Sequence, residues 1–294
     1  MLARSDHGVP LDALADLIER HGSGAGTPTA VPRQTLVRVD TALEEAELPY
    51  VPMVCFVAGG AKRLLAAGQP MTVRSGELFV GLVEMPMTAL FEPPYRAATL
   101  ILDGELVAGL IVETAGAAGS SAATQPGPDK ALATAPLDAG LVDAVTRWVA
   151  LLDQPRHIQV LSRRIEEEIV YRVLAGPLGA VLRAGMTTGH VAQVRSAAAH
   201  LARHLHEPVT LAEVARVARV SPATLLRHFK RITGTSPLQF HKQLRLQRAR
   251  QLIALGDHTA ASAAAVVGYA SPSQFSRDYR RLYGEPPLRH AGRR

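Results

Sequence analysis

The chain has 294 residues, of which 47% are hydrophobic and 20% charged. That is the composition of a globular protein long enough for two domains that each bury a core. A single cysteine, Cys55, excludes an intrachain disulfide, and no apolar run reaches membrane-spanning length. The net charge of +6 is unevenly spread: Gln193–Arg294 carries 17 Lys+Arg against 5 Asp+Glu, and residues 1–192 carry 15 against 21.

The opening Met1-Leu2-Ala3-Arg4-Ser5-Asp6-His7 lacks the apolar core of a signal peptide, so a cytoplasmic location is expected. Leu11, Leu14, Leu17 and Ile18 predict a short amphipathic helix over residues 10–21. The following Gly22-Ser23-Gly24-Ala25-Gly26 has no preceding strand and no closing Lys-Ser/Thr, which makes it a linker rather than a phosphate loop. Residues 34–103 read as a β-barrel or sandwich of short strands: Leu36–Val39, Val51–Val57, Lys62–Leu65, Met71–Val73, Leu78–Val83, Thr88–Phe91 and Ala97–Leu102. Gly59-Gly60, Ala67–Pro70, Ser75–Glu77 and Pro93-Pro94 are the expected turns. Cys55, between Val54 and Phe56, fits a buried strand position.

Asp103 is placed to cap a helix running to about Glu113, and Gly116–Asp129 is the expected loop. Two apolar stripes follow: Leu137, Leu141, Val145, Trp148, Leu152, and then Ile158, Leu161, Ile165, Ile169, Val173. With Asp153-Gln154-Pro155 between them they predict an antiparallel helical hairpin, ended by Gly176-Pro177, whose outer face is a candidate dimer surface. Glu166-Glu167-Glu168 is expected on the solvated side of its second helix.

The last hundred residues contain a repeat offset by fifty: Ser221/Ser271, Pro222/Pro272, Leu225/Phe275, Arg227/Arg277, Phe229/Tyr279 and Gly234/Gly284. Each copy predicts a helix with Ser as N-cap, Pro at its first position and an apolar pair four residues apart on its inner face. Two helix-turn-helix units are expected, at about 209–232 and 259–283, joined by a helix over about 237–255 with Leu238, Leu244, Ala249, Leu252 and Ile253 as its apolar set. Such a helix spans about 28 Å at 1.5 Å per residue, against about 34 Å between successive major-groove faces.

Ala223, Thr224, Leu226 and Arg227 in the first unit, and Ser273, Gln274 and Arg277 in the second, point outward near the helix starts, where base edges are reached. Arg227 and Arg277 suit guanine, Gln274 suits adenine, and Ala223 and the Thr224 methyl suit a thymine methyl. Lys230, Arg231, Lys242, Arg280 and Arg281 are the expected phosphate contacts, with Arg245, Arg248 and Arg250 also on the linking helix. Arg219 stands in the first turn where Gly would be easiest, which predicts a left-handed residue there.

These motifs resemble the AraC/XylS family of bacterial transcription regulators over about Gln193–Pro287, through both recognition helices, Gly268-Tyr269 and the two Gly-x-x-Pro segments (Gly234–Pro237, Gly284–Pro287). The N-terminal part is similar to the sensing domain of one subgroup in Tyr50–Cys55, Gly60–Arg63, Met85–Met87, Pro94-Tyr95 and Leu151–Pro155. Arg219 and Ala260 depart from the usual Gly and larger apolar residue.

The resemblance implies an α+β protein of two domains. The first, 1–186, would be a cupin-like β-barrel (about 34–103) with helices (about 137–184), sensing an effector and dimerising. The second, 187–294, would be an all-α, double helix-turn-helix DNA-binding domain. Double-stranded promoter DNA, a small-molecule effector, RNA polymerase and a second copy of the chain are the implied partners, with no membrane, cofactor or catalytic residue.

Two other readings remain. A cupin-type metal enzyme fused to a DNA-binding domain needs converging histidines, and no histidine lies between Gly22 and Arg156. The His200/His204 pair, with His206, lacks a further ligand at zinc spacing and suits a helix surface. A basic DNA binder without ligand or sequence preference would not need the outward Arg and Gln residues.

Overall fold

The computed structural model describes residues 11–41, 46–66, 69–117, 131–186, 189–254, 256 and 258–287. The chain divides into two compact units, with the boundary between Ala192 and Gln193. The expected α+β organisation, a β-rich first unit and a helical second one, is the one observed.

The first unit opens with α1 (Leu11–His21), which buries Leu14, Leu17 and Ile18. The strands are β1 (Thr27–Pro28), β2 (Gln34–Val39), β3 (Ala46–Tyr50), β4 (Met53–Ala66), β5 (Gln69–Arg74), β6 (Glu77–Gly81), β7 (Met85–Ile101) and, after α2 (Gly104–Ala117), β8 (Leu132–Pro136). They form one sheet in the order β1-β2-β7-β4-β6-β8, with β3 also on β7 and β5 also on β4. Cys55 is buried in β4, as its apolar flanks predict.

The structure corrects the expected turns at Gly59-Gly60 and Pro93-Pro94, because both lie inside long strands. β4 and β7 pair from Met53↔Ile101 to Leu65↔Thr88, and the register slips around Gly59. Gly60 has φ +68°, and a Cβ there would stand 2.5 Å from the carbonyl oxygens of both Glu92 and Pro94. A bulged glycine pressed against the facing strand bends the ribbon without ending it. The bend lets Met53–Phe56 pair with β6 and Ala61–Ala66 pair with β5, so one strand serves two parts of the sheet. β1, β3 and β8 carry too little apolar alternation to be read in advance; β8 is Leu-Ala-Thr-Ala-Pro.

Asp103 caps α2 by accepting from the backbone N–H of Glu105 (2.9 Å) and Leu106 (3.3 Å). The helix runs on to Ala117, so the expected loop at Gly116–Asp129 starts inside it and otherwise lies outside the described residues. The hairpin is formed by α3 (Ala139–Ala150) and α4 (Ile158–Ala175), joined by two 3-10 turns, Leu151–Asp153 and Pro155–His157, and followed by α5 (Gly179–Met186). Asp138 caps α3 by accepting from the Leu141 N–H at 2.8 Å. Leu141, Val145, Trp148, Ile158, Ile165, Ile169 and Val173 are buried as the stripes predict, whereas Leu161 is exposed.

Glu166 is the second correction. It was expected in solvent, but it is 2% exposed and accepts from Arg33 Nε at 2.8 Å and Nη2 at 2.5 Å. Arg33 sits in the β1–β2 turn with φ 60° and reaches α4 from there. A bidentate guanidinium offsets the desolvation of a buried carboxylate, and helix periodicity carries no sign of a partner 133 positions away. Glu168 does lie near the surface, held by Arg147 and Arg172 at 2.8 Å each.

The second unit contains all but the first three residues of α6 (His190–Arg203), then α7 (Leu211–Val217), α8 (Pro222–Thr233), α9 (Pro237–Ala254), α10 (Ala260–Val266) and α11 (Pro272–Tyr283). Among the described residues, no single helix is long and apolar enough to cross a membrane.

Two outcomes are expected from the first unit. Gly76 also has a positive φ, +83°, but a Cβ there meets nothing within 4 Å. Gly76→Ala therefore costs about 1–2 kcal/mol for the left-handed backbone alone. Gly60→Ala adds a backbone clash and costs well above that, which urea unfolding of the two variants compares directly.

The second outcome concerns acid. The Asp103 carboxyl is held below its ordinary 3.8, first by its hydrogen bond from Arg163, and that of Glu168 below 4.5, first by Arg147. A depressed carboxyl contributes stability above its unfolded value and loses it as the pH falls toward the folded one. The urea midpoint should thus drop as the pH falls below about 4.5, and drop less steeply in Asp103→Asn/Glu168→Gln.

Candidate nucleic-acid interface

Both expected recognition helices form, and each is fixed by its own sequence. α8 starts at Pro222, with the Ser221 hydroxyl accepting from the Thr224 N–H at 3.2 Å. α11 starts at Pro272, with Ser271 accepting from Gln274 at 3.3 Å. Both end on a left-handed glycine, Gly234 (φ 76°) and Gly284 (φ 75°). The helices in front are capped likewise. Thr210 and Glu213 make a reciprocal capping box on α7, and Thr259 accepts from Ser262 on α10. Each cap satisfies backbone donors that would otherwise be orphaned, typically contributing about 1 kcal/mol.

The inner faces are apolar and aromatic. Leu225 and Phe229 are buried in α8, and Phe275 and Tyr279 in α11. Phe229 meets Phe240 of α9 edge-on at 5.2 Å between ring centroids. On the other side, Leu246, Ala249, Leu252 and Ile253 of α9 pack with Ala263, Ala264, Phe275 and Tyr279. Of the apolar set expected on α9, Leu238 is instead 47% exposed, while Phe240 and Leu246, outside that set, are buried.

The outer faces carry the expected groups. Ala223, Leu226 and Arg227 are exposed and Thr224 is half-buried, its hydroxyl accepting from Ser221 Oγ at 2.9 Å. Ser273, Gln274 and Arg277 are exposed on α11. Lys230, Arg231, Arg280 and Arg281 are exposed in the last turns of the two helices.

The turns differ between the units. Arg219 has φ 56°, the left-handed conformation expected of it, at an exposed position. In the second unit the turn closes on Gly268 (φ +77°), where a Cβ would stand 2.3 Å from the His206 carbonyl oxygen. Close approach therefore requires glycine in one turn, and open space tolerates arginine in the other.

The basic residues of α9 are not uniformly free for phosphate. Arg245 is half-buried; its Nε donates to the Val267 carbonyl and its guanidinium lies over the Tyr269 ring at 4.8 Å. It braces the second turn instead of standing on the surface. Lys242 forms an ion pair with Asp278 at 2.5 Å. Asp278 also receives Arg281 at 3.1 Å and the Tyr269 hydroxyl at 3.5 Å. Burial and the Asp278 charge push Tyr269 up to about 12, so it remains a donor at neutral pH. The equivalent position fifty residues earlier is His228, buried and 3.3 Å from the Gln193 side chain. Sequence reasoning passed over Asp278; its signal is that it is the sole carboxylate in either recognition helix.

Two histidine rings of this unit are tied to the backbone. His204 Nδ1 lies 2.8 Å from the His200 carbonyl oxygen, and His241 Nε2 lies 3.0 Å from that of His204. Burial lowers the His200 and His241 values, which leaves both neutral at pH 7.

Known proteins match both units. Residues 30–181 match the family of the AraC-type transcriptional regulator N-terminus, and residues 214–293 match a helix-turn-helix domain. The chain is similar to the probable transcriptional regulator LumQ of Photobacterium leiognathi, 34% identical over 91 residues, which is 31% of this chain and 37% of LumQ. It is similar to the regulator GbdR of Pseudomonas aeruginosa, 38% identical over 84 residues, 29% of this chain and 23% of GbdR. The chain thus spans about a third and about a quarter of the length of these curated relatives. Among solved structures, fatty-acid-bound ToxT of Vibrio cholerae shares the fold at a TM-score of 0.56 and 11% identity, over 88% of this chain and 93% of that one. A family match over more than half of the sequence, followed by the helix-turn-helix match, shows that the chain belongs to the AraC-type transcriptional regulators.

Proposed function

We propose that the protein is a sequence-specific DNA-binding transcription regulator controlled by a small molecule bound in its first unit. The observation that carries the DNA reading is the repeated recognition helix. Two helices share a Ser cap, a Pro start and a buried aromatic position, and both present Arg outward at the same place, Arg227 and Arg277. The unit holding them carries 17 basic against 5 acidic residues, enough to attract duplex DNA before any base is read.

In this reading Ala223, Thr224, Leu226, Arg227, Ser273, Gln274 and Arg277 contact base edges. Lys230, Arg231, Lys242, Arg280 and Arg281 contact the backbone. Residues 1–186 form the sensing and dimerisation part and 187–294 the DNA-binding part, with helix-turn-helix units at 209–232 and 259–283. The fold shared with a fatty-acid-bound protein supports an effector site in the first unit. The exposed side of the α3–α4 hairpin is the proposed dimer surface, RNA polymerase a further partner, and the cytoplasm the location. Effector occupancy would act by favouring one arrangement of the DNA-binding part over another. No enzymatic step is assigned.

Footprinting at fixed salt on the DNA flanking the protein's own gene is the direct test, with protection of two or more helical turns expected. Arg227→Ala and Arg277→Ala should each weaken specific binding by about 1–3 kcal/mol. Equal losses on specific and random duplexes would remove base reading from these two arginines.

A further inference from the structure

The cleft between α9 and the second helix-turn-helix unit has a volume of about 350 Å³, bordered by His241, Lys242, Arg245, Tyr269, Gln274 and Asp278. That holds a phosphodiester together with several waters, each of which occupies roughly 30 Å³. Its charges are not equivalent. Arg245 is committed to Val267 and Tyr269, and burial keeps His241 neutral. Lys242, 27% exposed, is left as the cation able to change partner, and its present partner is Asp278, 10% exposed.

We infer that the cleft is a seat for a backbone phosphate of duplex DNA, and that Asp278 is a built-in competitor for its lysine. The inference rests on the DNA-binding reading. Gln274 lies on the outward face of α11 and also borders the cleft. A helix seated by that face in the major groove has a sugar-phosphate strand along each flank. One flank of α11 is the cleft. Phosphate and carboxylate are both anionic acceptors for an ammonium, so a phosphate reaching Lys242 must displace Asp278 or share the lysine with it. Asp278 keeps the Arg281 and Tyr269 contacts when Lys242 leaves, so the exchange does not strand a buried charge.

The equivalent of Asp278 in the first recognition helix is His228, 3.3 Å from the Gln193 side chain, and that helix has no carboxylate in its sequence. Asp278 is thereby a positioning residue. It orients Lys242 and the second recognition helix in the free protein, and it sets how strongly that side grips DNA.

The test measures affinity of the full chain for a promoter fragment and for a random duplex of equal length, over a salt series. Asp278→Asn keeps the shape and removes the competing charge. It should tighten binding to both duplexes about threefold to tenfold at 0.15 M salt and steepen the slope of log K against log salt by about one. Lys242→Gln should make the slope shallower, and its loss of affinity should be larger in the Asp278→Asn background than in the unaltered protein. A gain from Asp278→Asn that survives Lys242→Gln would overturn the inference, because the carboxylate would then repel DNA without acting through the lysine. So would a gain absent in a variant whose thermal unfolding matches the unaltered chain. Should Asp278→Asn fail to fold, an unchanged slope in Lys242→Gln alone removes the phosphate from the cleft. Absence of binding by the unaltered chain to either duplex would instead remove the DNA-binding reading and the inference with it.

Discussion

The DNA-binding unit depends on one helix being buried on two sides. α9 supplies Phe240 to the core behind α8, and Leu246, Ala249, Leu252 and Ile253 to the core behind α11. Seven-residue helices such as α7 and α10 cannot hold themselves in water, and a twelve-residue recognition helix is marginal alone. Each draws its stability from packing on α9, so the spacing of the two recognition helices is set by the covalent geometry of one 18-residue rod. A protein that must meet one face of a duplex at two places gains from a spacer that neither stretches nor bends cheaply.

That double burial explains what was and was not legible in the sequence. The recognition helices were readable because their determinants are local. Ser221 and Ser271 accept from residues three positions on, and the apolar pairs lie four apart on one face. α9 was readable only in its limits. A helix apolar on two sides has no single stripe, and so Leu238 was assigned inward while Phe240 was missed. In the first unit the same limit applies to the sheet. Gly59-Gly60 and Pro93-Pro94 are strong turn signals, yet they oppose each other across β4 and β7 and act as one bend. Only the pairing reveals this, because either segment alone does end many strands. Glu166 fails for a third reason: its partner, Arg33, comes from a turn on another element.

The two helix-turn-helix units share a pattern and an apolar inner face but differ in the polar ties around it. The first shows the Phe229–Phe240 contact, the Gln193–His228 tie and an exposed left-handed Arg219. The second adds charged ties to the apolar core around Phe275 and Tyr279: Arg245 clamps the Val267 carbonyl and Tyr269, and Asp278 gathers Lys242, Arg281 and Tyr269. Apolar contact is indifferent to moderate salt, whereas partly exposed ion pairs are screened by it. Ionic strength therefore acts on the ties around Asp278 more than on the apolar core beneath them.

In the proposed function, these ties bear on how a regulator with two reading heads chooses its sites. The first head carries Arg227 on a helix whose inner face packs through Phe229 on Phe240. The second head carries Gln274 and Arg277 on a helix whose flank is tied by a contested ion pair. Its grip is the adjustable one on the inference that a carboxylate and a phosphate compete for the same lysine. Discrimination among sites that share the first half-motif then falls on the second, where a weak match is not rescued by an unrestrained cation.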